Sequence, residues 1–174
     1  VHLAIFRLSQ GRAPIWVHEG GAKHFEGAWR DRIGRMSPTS LALLSYRYGQ
    51  GTLIPLEKMS PSVAKLPSAE DTSTAFAQVG TMMQFLKEQR GEESLNRLVA
   101  SMGEGLDDRA ALEGAWGDSF GSFEAAWTDW VAELPQRDES VEIVGISLRE
   151  GQTEEQEPGE INDPVAKDFS RLGD

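Results

Sequence analysis

Cysteine is absent from this chain, so disulfides and thiolate metal sites are excluded, and any metal falls to histidine and carboxylate ligands. The same absence suits a reducing and an oxidising compartment alike and leaves localisation open. Long apolar runs are missing too. None approaches the roughly 18 consecutive residues of a membrane-spanning helix, and no basic-then-apolar leader opens the chain. Position 1 is Val rather than Met, as expected of a piece of a longer or processed protein. Basic residues are in deficit, 17 Lys and Arg against 28 Asp and Glu, for a net charge of −11. Such a chain repels phosphate backbones, and no Lys/Arg stripe with interleaved aromatics offers a nucleic-acid platform. Arg30, Arg32 and Arg35 read as the solvated end of a helix and the loop after it.

What is present is enough for one sizeable core. The 174 residues are 39% hydrophobic and include five Trp and seven Phe as large packing units. Residues 136–174 hold 11 acidic and four basic side chains, against 17 and 13 in residues 1–135. The acidic excess is thus concentrated in a tail, and the natural division is one domain over 1–135, an acidic linker over 136–162 and a further helical start over 163–174.

The punctuation predicts an all-α domain. Val1 to about Gln10 reads as a helix stopped by Gly11, and Pro14 stands where the first residue of a second helix belongs. That second helix carries Ile15, Ala22, Phe25 and Trp29 on its expected core side. Gly20 and Gly21 cost roughly 1 kcal/mol each relative to Ala, which makes sense if the first helix packs very close beside Glu19. Glu19 and Lys23, at i and i+4, form an expected surface ion pair. Ser37-Pro38 opens a helix closed by Gly49-Gln50-Gly51. Thr52 to Pro67, interrupted by Pro55 and Pro61, reads as a loop that borders a cleft. Ser68 and Asp71 begin a long helix to about Arg90 with Phe76, Val79, Met83 and Leu86 at helical spacing. Glu92–Met102, Asp108–Trp116 and a last helix from about Ser122 follow. The last one sets Phe123, Trp127, Trp130 and Leu134 in one stripe before Pro135.

The chemistry-bearing stretch runs from Ala13 to Glu26. His18 and His24 stand at i and i+6, which points them to opposite faces of a helix and rules out a local HExxH reading. His2 and Glu19 have 16 residues between them, room for one helix to end, turn and hand over to an antiparallel one. A catalytic zinc commonly takes two histidines from an HExxH helix and a further ligand from elsewhere. The run Pro14-x-Trp16-x-x-Glu19-Gly20-x-Ala22-x-x-x-Glu26 resembles the gluzincin metallopeptidases, in particular bacterial peptidase MA-like domains, and the resemblance extends weakly to about Leu134.

That resemblance implies a mainly helical gluzincin C-terminal subdomain, with His2 as the second histidine ligand of zinc and Glu19 as the carboxylate ligand. The first histidine and the general-base glutamate have no counterpart in the chain and are expected before Val1. Gly21 departs from the family, which usually has a larger apolar residue there. So does the downstream helix, which offers Phe76 and Phe85 where a tyrosine or histidine donor to the oxyanion is typical. The only tyrosines are Tyr46 and Tyr48, and His24, a conceivable substitute donor, reads rather as a packed histidine or one that supports a metal ligand from behind. The implied function is a fragment of a zinc-dependent peptidase acting on a peptide or protein substrate, inactive as this chain. The alternative is a non-enzymatic scaffold that binds a protein partner and keeps a degenerate peptidase fold.

Beyond Pro135, Val141 to Leu148 has the makings of one short strand, Gln152 to Asn162 is almost wholly polar, and Ala166 to Asp174 resembles the opening of a tetratricopeptide-type helix. A polar run of this kind cannot bury enough apolar area to offset roughly 1–2 kcal/mol of ordering entropy per residue. Limited proteolysis is therefore expected to cut first between Gln152 and Asn162 and leave a resistant core ending near Leu134 or shortly after Leu148. Resistance of the tail equal to that of the Trp127 region would overturn the domain boundary.

Overall fold

The computed structural model of the chain describes residues 1–26 and 36–134. Trp29, Arg30, Arg32, Arg35 and all of the expected linker, strand and terminal helix lie outside the described residues. Among those described there are seven α-helices and no strand. They are α1 (His2–Leu8), α2 (Ile15–Phe25), α3 (Pro38–Gly49), α4 (Ala69–Arg90), α5 (Glu93–Gly103), α6 (Asp108–Trp116) and α7 (Phe120–Ala132). The all-α expectation holds.

The helix ends follow the local chemistry. Ser37, Ser68, Asp107 and Ser119 each accept a hydrogen bond from the backbone N–H three residues on, satisfying a donor the helix itself leaves unpaired. Because Ser119 is the cap, the last helix starts at Phe120, earlier than Ser122. Pro14 is likewise the extended residue before α2 (ψ 165°) rather than its first helical residue. Gly11, at φ +75°, closes the turn after α1, with its N–H donating to Phe6 O at 2.8 Å.

The long helix α4 is the spine. Thr74, Ala75, Ala77 to Met83, Phe85 and Leu86 are buried, which wraps burial round the helix where the sequence suggested one stripe. A helix buried on all sides has neighbours on all sides: α2, α3, α5 and α6 all pack on it. Polar groups inside are tied off. Gln78 accepts from Ile54 N–H (3.0 Å) and donates to Ile54 C=O (2.8 Å), and Trp127 Nε1 donates to Thr81 Oγ1 (3.3 Å). Gln78 thereby pins the segment expected to be a plain loop. That segment contains two 3₁₀ turns, Leu56–Met59 and Val63–Lys65, and buries Ile54, Met59 and Val63. At the far end Phe85, Trp116, Phe123 and Trp130 form a cluster with ring centroids 5.5–6.0 Å apart, and the Arg90 guanidinium caps Trp116 at 4.1 Å.

Helix α2 turns a different face inward from the one its large apolar residues suggested. Trp16, Val17, Gly20, Gly21 and His24 are buried, whereas Phe25 is 37% exposed and Ile15 and Ala22 are half-buried. The reason is close approach. A Cβ on Gly20 would stand 2.8 Å from the Val79 carbonyl oxygen of α4, and one on Gly80 would stand 3.1 Å from Lys23 Cβ of α2. At this crossing each helix presents a glycine to the other. Gly21 does the same toward α1, where an added Cβ would be 2.6 Å from Ile5 Cδ1. The expectation that α1 explains the glycine pair is thus correct for Gly21, while Gly20 answers to α4.

Gly20→Ala is expected to destabilise the domain by about 1–3 kcal/mol, since the nearest neighbour is backbone that cannot rotate away. Gly114→Ala, in the interior of α6 with nothing within 4 Å of the added carbon, is expected to stabilise it by about 0.5–1 kcal/mol. Urea unfolding of the two variants beside the wild type checks both signs, and equal effects would contradict the packing described.

Candidate functional site

The two helices that carry His2 and Glu19 are neighbours. α1 ends at Leu8, the chain turns through Gln10 and Gly11, and α2 returns alongside with Gly21 against Ile5. The first helix therefore hands over to the second within the spacing the sequence allowed. Arg12 braces the turn by donating to Gln10 Oε1 (3.2 Å) and to the Gly103 carbonyl of α5. At the other end of the turn, extended Pro14 precedes α2 and Trp16 is buried, its Nε1 donating to Asp108 Oδ2 at 2.8 Å.

On this frame the ring of His2 meets His18. The two imidazole centroids are 5.8 Å apart with an interplanar angle of 18°. Neither ring hydrogen-bonds a described residue. Glu19 is the next residue along α2, 100° further round the helix, half-buried and without an ion pair or hydrogen bond among the described residues. The expected Glu19–Lys23 pair gives way to Lys23–Glu26 at 2.8 Å; Lys23 lies against α4, with its ammonium 5.4 Å from the Phe76 ring centre, on the side away from α1. Burial is the main influence lowering the His18 basicity, His2 adds to it and Glu19 opposes it.

Imidazole nitrogen and carboxylate oxygen suit zinc. Among the described residues, however, no group of three or more His, Cys, Asp or Glu side chains is assembled to hold a metal ion. His2, His18 and Glu19 are donors of the right kind at neighbouring positions, short of a closed coordination set. His18 is the residue that sequence reasoning passed over, because it was judged only against His24 on its own helix. The available signal was its place beside Glu19 on the strip of α2 facing a returning helix.

His24 is not part of this surface. It is 1% exposed, and neither ring nitrogen has a hydrogen-bond partner; Phe25 meets it edge to face with centroids 5.0 Å apart. The packed reading of His24 is correct.

The segment Thr52 to Pro67 does border clefts. A cavity of about 240 Å³ is lined by Leu53 to Glu57 over a floor that includes Gln78, Met82, Phe123 and Trp127. A second, of about 360 Å³, is lined by Pro14, Ile15, Trp16, Ser60 and Asp108. Leu56, Glu57 and Arg109 belong to both, and the Arg109–Glu57 pair (3.4 Å) stands between them. Ile15, in the wall of the second cavity, precedes Glu19 by one helical turn on the same face.

Compared with family models, curated proteins and solved structures, the chain matches none. Its function is therefore argued from its own residues.

The buried His24 gives the fold a pH dependence with a definite sign. Burial pushes its imidazole below the ordinary 6.5, the Lys87 charge acts in the same direction and Glu92 opposes. The unfolded chain takes up a proton near pH 6.5 while the folded one waits for a lower pH, so stability is full above that range and falls as pH drops toward the folded value. His24→Leu, which removes two unpaired buried nitrogens, is expected to flatten this slope and gain about 1 kcal/mol at pH 5.5. Chemical denaturation from pH 8 to 5 measures it; an unchanged slope would place the titration elsewhere.

Proposed function

We propose that this domain is the ligand-bearing helical part of a zinc-dependent peptidase of the gluzincin type, contributing His2 and Glu19 to a metal whose first histidine and general base come from residues before Val1. Its substrate class is a peptide or protein. The observation that carries the reading is the α1–turn–α2 hairpin, with the His2 ring against α2 at the position next to Glu19. The residues of the Pro14-Trp16-Glu19-Gly20 pattern also have distinct tasks in that hairpin: extended Pro14 leads into α2, Trp16 anchors it to Asp108, and Gly20 seats it on α4. Zinc in such a place supplies Lewis acidity toward a peptide carbonyl. Among the described residues no third donor is assembled, and the resemblance puts the base before Val1, so no hydrolysis is assigned to this chain alone.

A second reading, a non-enzymatic scaffold that binds a protein partner, draws on two observations. Phe85 is buried in the aromatic cluster and Phe76 lies under Lys23, so the downstream helix offers phenylalanine rings, which cannot donate, where a tyrosine or histidine donor to an oxyanion is typical. Leu3, Phe6 and Leu8 of α1 are 56–61% exposed, an apolar surface of the kind that marks a protein contact.

One measurement separates the two. In the protein extended upstream of Val1, metal analysis after dialysis is expected to find one zinc per chain, and Glu19→Gln is expected to weaken its retention at least about tenfold, the loss that even an outer-shell partner causes. Absence of zinc from both proteins would leave the scaffold reading standing.

A further inference from the structure

We infer that His2 and His18 together form a two-imidazole binding site for a divalent late first-row metal ion, with His18, and not only the residues named by the peptidase reading, as a direct ligand. The site needs no residue outside the described chain and stands whether or not the peptidase reading does.

The argument begins with distance. A metal–nitrogen bond is 2.0–2.1 Å, and the ring centre lies roughly 1.2 Å beyond the donor nitrogen, so two imidazoles on one ion at angles of roughly 110–130° have centroids about 5.2–5.8 Å apart. The observed separation is 5.8 Å. The rings lie nearly parallel, 18° from one another. Bringing an edge nitrogen of each toward a common point takes rotation about χ2, a broad and soft torsion for histidine. Room for that rotation exists, because His2 is exposed and His18 only half-buried.

The second element is rigidity. His2 and His18 sit on different helices that pack side by side, with Ile5 of α1, a buried residue, seated against Gly21 of α2. Two ligands held by separate packed elements lose little freedom on binding, which is the advantage of pre-positioned ligands over flexible ones. The third is availability. Both rings are without hydrogen-bond partners among the described residues, so coordination displaces nothing; His24, also unpartnered, is enclosed in the core and out of reach of an ion from solution. Donors of this softness favour ions in the order copper over nickel over cobalt and leave calcium and magnesium to oxygen sites.

The test is a titration of the chain with Ni²⁺, read by calorimetry and by the imidazole proton resonances. One ion per chain is expected, with two of the three histidines shifted or broadened and His24 unmoved, and with no response to Mg²⁺. His18→Gln and His2→Gln are each expected to weaken binding at least about tenfold, while melting curves in a chelator show that both variants keep the fold. Undiminished Ni²⁺ binding by His18→Gln would overturn the inference, as would failure of the wild-type chain to bind. Glu19→Gln separates it from the peptidase reading. Loss on Glu19→Gln with none on His18→Gln favours the His2–Glu19 pair, whereas loss on His18→Gln supports the two-imidazole site however Glu19 behaves.

Discussion

The fold rests on a close crossing of α2 and α4 to which each helix contributes a glycine. Gly20 of α2 lies on the Val79 carbonyl of α4, and Gly80 of α4 lies on the Cβ of Lys23. Each glycine costs helix propensity, roughly 1 kcal/mol relative to Ala, and in exchange the two helices approach more closely than a Cβ at Gly20 or Gly80 would comfortably allow. That approach orients α2: its Trp16–Gly20–His24 face goes inward, so Phe25, although apolar, ends 37% exposed. It also turns His18 and Glu19 outward, where a ligand surface has to be.

Around that crossing the interior is assembled from neutral hydrogen-bonded groups and aromatic rings. The side chain of Gln78 satisfies both backbone groups of Ile54, and Thr81 takes the indole proton of Trp127. Such ties add about 1 kcal/mol each, but an orphaned partner would cost more than that. His24 is an exception, a fully enclosed imidazole with two unpaired nitrogens, as is the buried Ser45 hydroxyl. Burial is the main cause of the His24 preference for the neutral ring.

The outward surface of the first hairpin combines three donors with a carefully placed turn. Gly11 closes α1, Arg12 ties the turn to α5, and Gly21 brings Ile5 alongside. This explains why His2, near one end of the sequence, keeps a defined neighbour. The peptidase and scaffold readings both use the hairpin: one for its imidazoles and carboxylate, the other for the exposed Leu3 and Phe6 beside them. The proposed two-imidazole site depends on neither, because both of its ligands lie within α1 and α2.

Much of the helical order was legible in the sequence, since caps and breakers act locally. Ser37-Pro38, Ser68 with Asp71, and Asp107 each announce a helix start through a side-chain acceptor three residues from an unpaired N–H, and Gly11, Gly91 and Gly117 mark the ends. The spacing of His2 and Glu19 likewise announced a helix–turn–helix hairpin. The sequence misjudged which face of α2 turns inward, placing Ile15, Ala22 and Phe25 there, and left open how deep the Thr52–Pro67 segment lies and which side chain of α2 meets His2. Those answers depend on contacts between residues far apart in the chain: Gly20 with Val79, Gln78 with Ile54, Trp16 with Asp108. Hydrophobic periodicity weighs each residue by its own apolar area, and glycine has none; only the tertiary structure reveals that the absent Cβ, by permitting close approach, decides the orientation of the helix and with it the place of His18.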